Sequence, residues 1–157
     1  MRVAGQVSII LPPSGERRFK MDFEMKKPVP ETQPWSEKFW EGTKQGKLLI
    51  QVCNDCKSKI FYPRKYCPEC WSGNLGWVEA SGNAKILSFS TAYGMVEPKF
   101  TDELPYTIAY VDLDEGIRMM TRIVECKPED IKFDMPVEVV YHEREGFFLP
   151  YFRPVKK

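Results

Sequence analysis

The chain has 157 residues and a net charge of +1, with 43% hydrophobic and 29% charged residues, and no apolar run near the roughly 20 residues that cross a bilayer. That composition disfavours a membrane span or a low-complexity chain, and leaves room for one ordinary domain or for a small metal-stapled module followed by a compact barrel. The charge is uneven: residues 1–75 carry 13 Lys or Arg against 8 Asp or Glu, a surplus of +5, whereas residues 76–157 carry 10 against 14, or −4. A polyanion asks for a continuous basic face, so this split argues against general nucleic-acid binding by the second half.

Residues 1–34 hold Pro12, Pro13, Pro28, Pro30 and Pro34 with Arg17, Arg18, Lys20, Lys26 and Lys27 between them. Proline at this density forbids a long regular element, and the expectation is an arm flexible on its own, which either orders on a partner or stays a solvated tail. The first eleven residues have one positive charge and a short apolar patch, but no convincing small-residue cleavage site, so they read as no signal peptide.

Residues 35–46 read as a helix, with Ser36 as its cap and Gly42 or Gly46 as its stop. Trp35, Phe39 and Trp40 fall on one face at helical spacing, which makes that face aromatic. Such a stripe is core more often than ligand site, but a helix of about three turns ahead of a small ribbon has little of its own domain to bury against. Gly42, Gly46 and Lys47 only superficially suggest a phosphate loop. One residue is missing between the glycines, and Leu48 replaces the hydroxyl residue that would hold magnesium.

Residues 47–52 form an apolar strand leading into Cys53, and residues 59–66 lead into Cys67. Cys53 and Cys56 make one Cys-x-x-Cys pair, Cys67 and Cys70 another, with ten residues between the pairs. Two residues between thiolates let a tight turn aim both sulfurs at one point, and a short hairpin brings two such turns together as a tetrahedral site. Zinc is the expected ion and iron the alternative. Disulfides would need an exporting chain, and a dithiol redox pair would need one motif at a helix start. Four thiolates fill every ligand position, so the site is expected to hold the fold and perform no chemistry. Cys126 reads as a small buried apolar residue. Lys57, Lys59, Arg64 and Lys65 crowd the ribbon; they are either a solvated face or phosphate contacts, with Arg64 supplying a fork and Lys65 a point charge.

From Gly76 the pattern changes to period two. Residues 85–93, 106–112, 117–124, 137–141 and 147–152 make five strands, with a hairpin turn at 112–116 and a helical turn at 127–131. The fold class is therefore mainly β: an N-terminal helical segment, a rubredoxin-like zinc ribbon and a five-stranded Greek-key barrel of the oligonucleotide/oligosaccharide-binding (OB) type, with an open meander as the less specific alternative. The expected divisions are an arm at 1–34, helix plus ribbon at 35–75 and barrel at 76–157. No Gly-x-Ser-x-Gly elbow occurs, and the sole histidine, His142, sits on a strand with no partner evident, so nothing nominates an enzyme.

The stretches 34–42, 46–53, 61–64, 67–70, 76–77, 104–105, 111–116 and 152–154 together resemble the acyl-CoA-associated family that joins a rubredoxin-like zinc ribbon to an OB fold, and particularly its archaeal stand-alone members. The chain departs from that family's pattern where Lys57 and Trp71 replace a glycine that often follows each knuckle. The resemblance implies a non-catalytic companion of CoA-ester enzymes, and reduced metal-binding cysteines with no signal peptide fit a cytoplasmic location. Archaeal relatives bridge an acetoacetyl-CoA thiolase and a hydroxymethylglutaryl-CoA synthase at the head of the mevalonate pathway. On that reading Arg64 and Lys65 would hold CoA phosphates, and Trp35, Phe39 and Trp40 would wall a slot for its pantetheine arm. The alternative is a module that binds single-stranded nucleic acid, which ribbon and barrel invite by fold analogy alone.

Overall fold

The structure, a computed structural model, describes residues 26–156, so most of the expected proline-rich arm, residues 1–25, lies outside the described residues. The elements in order are helix α1 (Glu37–Lys44) and strands β1 (Leu49–Cys53), β2 (Lys59–Ile60), β3 (Leu75–Glu79), β4 (Asn83–Ala92), β5 (Tyr106–Leu113), β6 (Arg118–Ile123), β7 (Pro136–Arg144) and β8 (Phe147–Pro154). Short 3-10 helices lie at Pro98–Glu103 and Pro128–Asp130.

Helix α1 starts two residues later than its aromatic pattern suggests. Trp35 stands in the preceding turn, and Ser36 does not cap the helix with its side chain. Its hydroxyl instead accepts from the Gln33 N–H at 2.9 Å and donates to the Gln33 carbonyl at 3.0 Å, which closes the turn ahead of the helix. The stop is Gly46. It turns left-handed at φ +72°, and the Gly46 and Lys47 N–H groups reach back to the Thr43 and Gly42 carbonyls in the pattern of a Schellman end. Gly42 lies inside the helix for a different reason: a Cβ there would stand 2.7 Å from the Leu49 side chain, so the residue lets helix and β1 approach.

Strands β2, β1 and β3 form an antiparallel sheet in that order, with β1 and β3 paired from Leu49 opposite Glu79 to Cys53 opposite Leu75. β3 crosses the expected boundary at 75/76. Trp77, on the barrel side of that boundary, lies opposite Gln51 in the ribbon's own sheet. The other five strands close a barrel in the order β4-β5-β6-β8-β7, with β7 returning to β4 and β6–β8 as its parallel pair. This is the OB-type arrangement. A register shift between Ile86 and Ser88 lets β4 coil far enough to serve both β5 and β7. The five strands match the period-two stretches closely, because alternate residues such as Ala84, Ile86, Ala109, Val111, Met119 and Val137 turn inward and are buried. Each large one removed from water contributes about 1.5–3 kcal/mol.

Helix, ribbon and barrel share one core: Phe39, Leu48 and Ile50 pack in the same cluster as Val111, Val137 and Phe152. The ribbon is further tied to the β5–β6 hairpin. Lys59 Nζ donates to the Glu115 carbonyl and the Ser81 N–H to Glu115 Oε1, both at 2.6 Å. A charged hub holds the other side. Glu103 accepts from Lys27 at 2.6 Å, from Arg144 at 3.1 Å and from Arg122, and Lys27 also meets Asp102 at 2.7 Å. The described start of the chain is thereby clamped against the 3-10 segment.

Burial works to raise the Glu103 carboxyl, but hydrogen bonds from Lys27 and Arg122 and their charges hold it below its ordinary value of 4.5. A carboxylate lowered in the fold adds stability above that ordinary value and loses it as pH falls through the lower, folded value. Replacing Glu103 with Gln is therefore expected to cost about 2 kcal/mol at neutral pH, since it strands partly buried cations. Urea unfolding should show the gap between the two proteins closing as pH drops below 4.5.

Candidate metal centre and adjoining cavities

Each knuckle is built by the same four hydrogen-bonding groups. The Cys53 N–H donates to the Ser58 carbonyl and the Lys57 N–H to the Cys53 carbonyl; the Cys67 N–H donates to Ser72 and the Trp71 N–H to Cys67, all at 2.9 Å. Closing such a turn sends its fifth residue into the left-handed region, and Lys57 and Trp71 stand at φ 64° and 61°. This is the physical reason glycine often follows each knuckle in the family the sequence resembles.

All five cysteines are free thiols. The sulfurs of Cys53, Cys56, Cys67 and Cys70 lie within 4.8 Å of one another, with Cys53 and Cys70 at 3.6 Å and Cys56 and Cys67 at 3.5 Å. A tetrahedral ion with metal–sulfur bonds of about 2.3 Å requires edges of about 3.8 Å, so the donor set fits a four-thiolate centre. The thiols do not ionise alike. Hydrogen bonds from the Ser58 side chain and backbone bring Cys56 down to about 6. Cys70 is drawn down by the Ser72 N–H but pushed up further by Cys56, burial and the other thiols, to about 12. Four like charges need a cation among them.

A polar lacing that the cysteine spacing does not announce holds the two knuckles together. Asn54 Nδ2 donates to Asn74 Oδ1 at 2.9 Å, Asn74 Nδ2 to Asp55 Oδ1 at 3.0 Å, and the Ser72 hydroxyl to Asp55. The Ser72 and Asn74 bonds hold the Asp55 carboxyl below the ordinary carboxylate range. Cys126 stands apart, half-buried, with burial and Asp130 pushing its thiol up.

Two cavities meet at Trp35. The larger, about 620 Å³, lies between α1, the loop after β2 and the β6–β8 side of the barrel; Trp35, Phe39 and Trp40 wall it together with Phe61, Met119 and Tyr151. The smaller, about 420 Å³, is lined by Trp35, Lys38, Gln51, Arg64, Lys65 and Trp77. The five side chains expected at a CoA site therefore surround one neighbourhood, divided by Trp35: two rings on one side, two cations on the other. Phe39 is 5% exposed and stacks edge-on with Trp40 at 4.9 Å and Phe61 at 5.8 Å, so the aromatic stripe is core and cavity wall at once.

Lys38 and Gln51 were not among the expected residues. Lys38 hides in a run of exposed helix charges, whereas Gln51 had a signal: a lone amide in an apolar strand. It is 3% exposed and spends both ends on the backbone of Arg64, Nε2 donating to the carbonyl at 3.0 Å and Oε1 accepting from the N–H at 2.7 Å. Among the described residues, none of Lys38, Arg64 and Lys65 forms an ion pair. The arginines of the barrel strands are all paired.

A closed four-thiol ribbon set on an OB barrel defines the class of protein, and the comparisons with known proteins agree. Residues 40–76 match the rubredoxin-like zinc ribbon domain of ChsH2 and residues 77–142 its C-terminal OB-fold domain. A scaffold protein with a DUF35 domain from Methanocaldococcus jannaschii is 37% identical over 105 residues, covering 65% of this chain and 73% of the relative. The chain belongs to this DUF35 family of zinc-ribbon and OB-fold proteins. A probable enoyl-CoA hydratase alpha subunit of Thermomonospora curvata is 39% identical over 118 residues, 74% of this chain, which spans only 36% of that relative's length. The benzoylsuccinyl-CoA thiolase subunit BbsA of Geobacter metallireducens is 31% identical over 87 residues, 55% of this chain and 56% of that one. Among solved structures, the Ltp2-ChsH2(DUF35) aldolase superposes with a TM-score of 0.73 at 35% identity, covering 80% of this chain and 98% of the matched one.

Two outcomes test the centre. Stripping the metal with a strong chelator is expected to unfold the ribbon while the barrel's β signal persists, seen as loss of the dispersed amide resonances of residues 49–79 while those of β4–β8, shifted where the ribbon packed on them, stay dispersed. Trp71 is 79% exposed and strained, so Trp71→Gly is expected to raise the unfolding free energy by about 0.5 kcal/mol, the relief of the left-handed residue less the added chain entropy.

Proposed function

We propose that the chain is a non-catalytic, cytoplasmic scaffold subunit that binds acyl-CoA and tethers thiolase-superfamily enzymes of the acetoacetyl-CoA thiolase and hydroxymethylglutaryl-CoA synthase type, helping a CoA thioester pass between them. The observation that carries this reading is the pair of cavities on either side of Trp35, one mainly apolar and one bearing three cations that form no ion pair among the described residues. CoA has the same division, with phosphates at one end and an acyl-bearing arm at the other. In this reading Trp35, Phe39 and Trp40 flank the arm, and Arg64, Lys65 and Lys38 meet the phosphates. The ion at Cys53, Cys56, Cys67 and Cys70 is zinc, or iron as the alternative. With four protein sulfurs it has no position for substrate, so its role is structural. Relatives named as scaffold proteins and as subunits of thiolase, hydratase and aldolase assemblies support the partner class.

A module for single-stranded nucleic acid would need unpaired cations along the barrel. Here Arg118 pairs with Asp112, Arg122 and Arg144 with Glu103, and Arg153 with Glu138; among the described residues the barrel's cations without an ion pair are scattered lysines such as Lys85, Lys127 and Lys132, and no arginine fork is left for a phosphate, which disfavours that use.

Titration with acetoacetyl-CoA is expected to quench tryptophan fluorescence, and Trp35→Ala to weaken binding by about tenfold or more. Purified thiolase and synthase should co-elute in gel filtration only when the chain is present. Turnover of a thioester by the chain alone, or no effect of the chain on co-elution, would overturn the proposal.

A further inference from the structure

The barrel has a weak seam that opens into the larger cavity. Strands β6 and β8 pair at one register position, Ile123 opposite Phe152, with the Val124 N–H on the Phe152 carbonyl at 2.8 Å. Further along, β8 carries Pro150, which has no N–H to send across. A side chain spans the seam there: Thr121 Oγ1 donates to the Pro150 carbonyl at 2.9 Å. Next to it the Met120 N–H donates to the hydroxyl of Tyr62, in the loop after β2, at 3.2 Å. An N–H points one way only, so at Met120 the edge of β6 faces away from β5 and into the seam. Tyr62, Met120, Thr121 and Pro150 all line the larger cavity.

An open strand edge is a template for any extended chain with amide groups. Conversely, an amide entering an apolar cavity must find a partner or leave its polar atoms unsatisfied. The pantetheine arm of CoA is an extended chain with two secondary amides. Resting on the acyl-CoA reading of this cavity, we propose that the pantetheine arm lies along the free edge of β6 as a short added strand, one of its amide carbonyls accepting the Met120 N–H, and that Tyr62 is a placeholder which that carbonyl displaces. Tyr62 suits the role. It is half-exposed, its bond to Met120 is long, and its ring rests beside Phe61 at 4.5 Å, so the hydroxyl can leave without unfolding anything. Thr121, bonded across the seam, keeps the two strands from closing over the edge.

The test uses the full chain, nitrogen-15 labelled, and S-hexanoyl-pantetheine, which has both amides and no nucleotide. The Met120 amide resonance is expected to move on saturation, and Tyr62→Phe to tighten binding by about threefold to tenfold because the competing hydroxyl is gone. Weaker binding by Tyr62→Phe would mean that the hydroxyl holds the ligand, and would overturn the assignment. So would a Met120 resonance that stays still at saturation, or one moved by a short extended peptide and not by the pantetheine thioester. If Met120 stays still while acetoacetyl-CoA quenches tryptophan fluorescence, this assignment alone falls. If no thioester binds at all, the acyl-CoA reading falls with it.

Discussion

The convergence of four sulfurs on one point is the constraint from which the rest of the structure follows. β2 is two residues long and pairs with β1 at two positions, far too little to hold a hairpin in water. The sulfur cluster supplies what the strands lack. With it, the chain between the knuckles has a fixed path, and that path carries Phe61, Tyr62 and Arg64 to the places where both cavities are built. The lacing of Asn54, Asp55, Ser72 and Asn74 extends the same order outward without using any apolar surface.

A second consequence is that helix α1 has two jobs that would conflict in a smaller protein. Its aromatic face must be buried to hold ribbon and barrel together, yet the same face borders open space. The conflict is resolved by division of labour along the face. Phe39 goes almost wholly into the common core; Trp40 stacks edge-on against Phe147 at 5.3 Å; Trp35, 40% exposed in the turn before the helix, is left as the partition between cavities. A late helix start, with Ser36 bonded to Gln33, is what places Trp35 there.

Most of the fold was legible in the sequence. The Cys-x-x-Cys pairs and the five period-two stretches carry strong local signals, and the barrel follows from their number and from the turn at 127–131. What was not legible depends on non-local pairing. β3 falls on the barrel side of the expected boundary but has no inside–outside alternation of its own, and only its partner, β1, reveals that it completes the ribbon sheet. Ser36 has the residue type of a helix cap but is recruited by Gln33 three residues upstream. The cations around Arg64 could be seen in the sequence. Their gathering with Lys38 and Trp77 could not, because it needs β1, β3 and α1 to be stacked first.

Gln51 shows how such a site is held. A buried amide with both ends satisfied by one residue's backbone behaves as a single rung of sheet placed where no strand continues. It fixes the main chain at Arg64 while leaving the guanidinium without an ion pair among the described residues, and it does so from β1, whose far end is Cys53. Through this one residue the geometry of the sulfur cluster reaches the cationic cavity. An isosteric but charged Glu at position 51 could accept from the Arg64 N–H but could not donate to its carbonyl, and would bury a charge in the attempt. The amide is thus the side chain that the local chemistry requires, and the loop it holds lies between the two halves of the proposed ligand site.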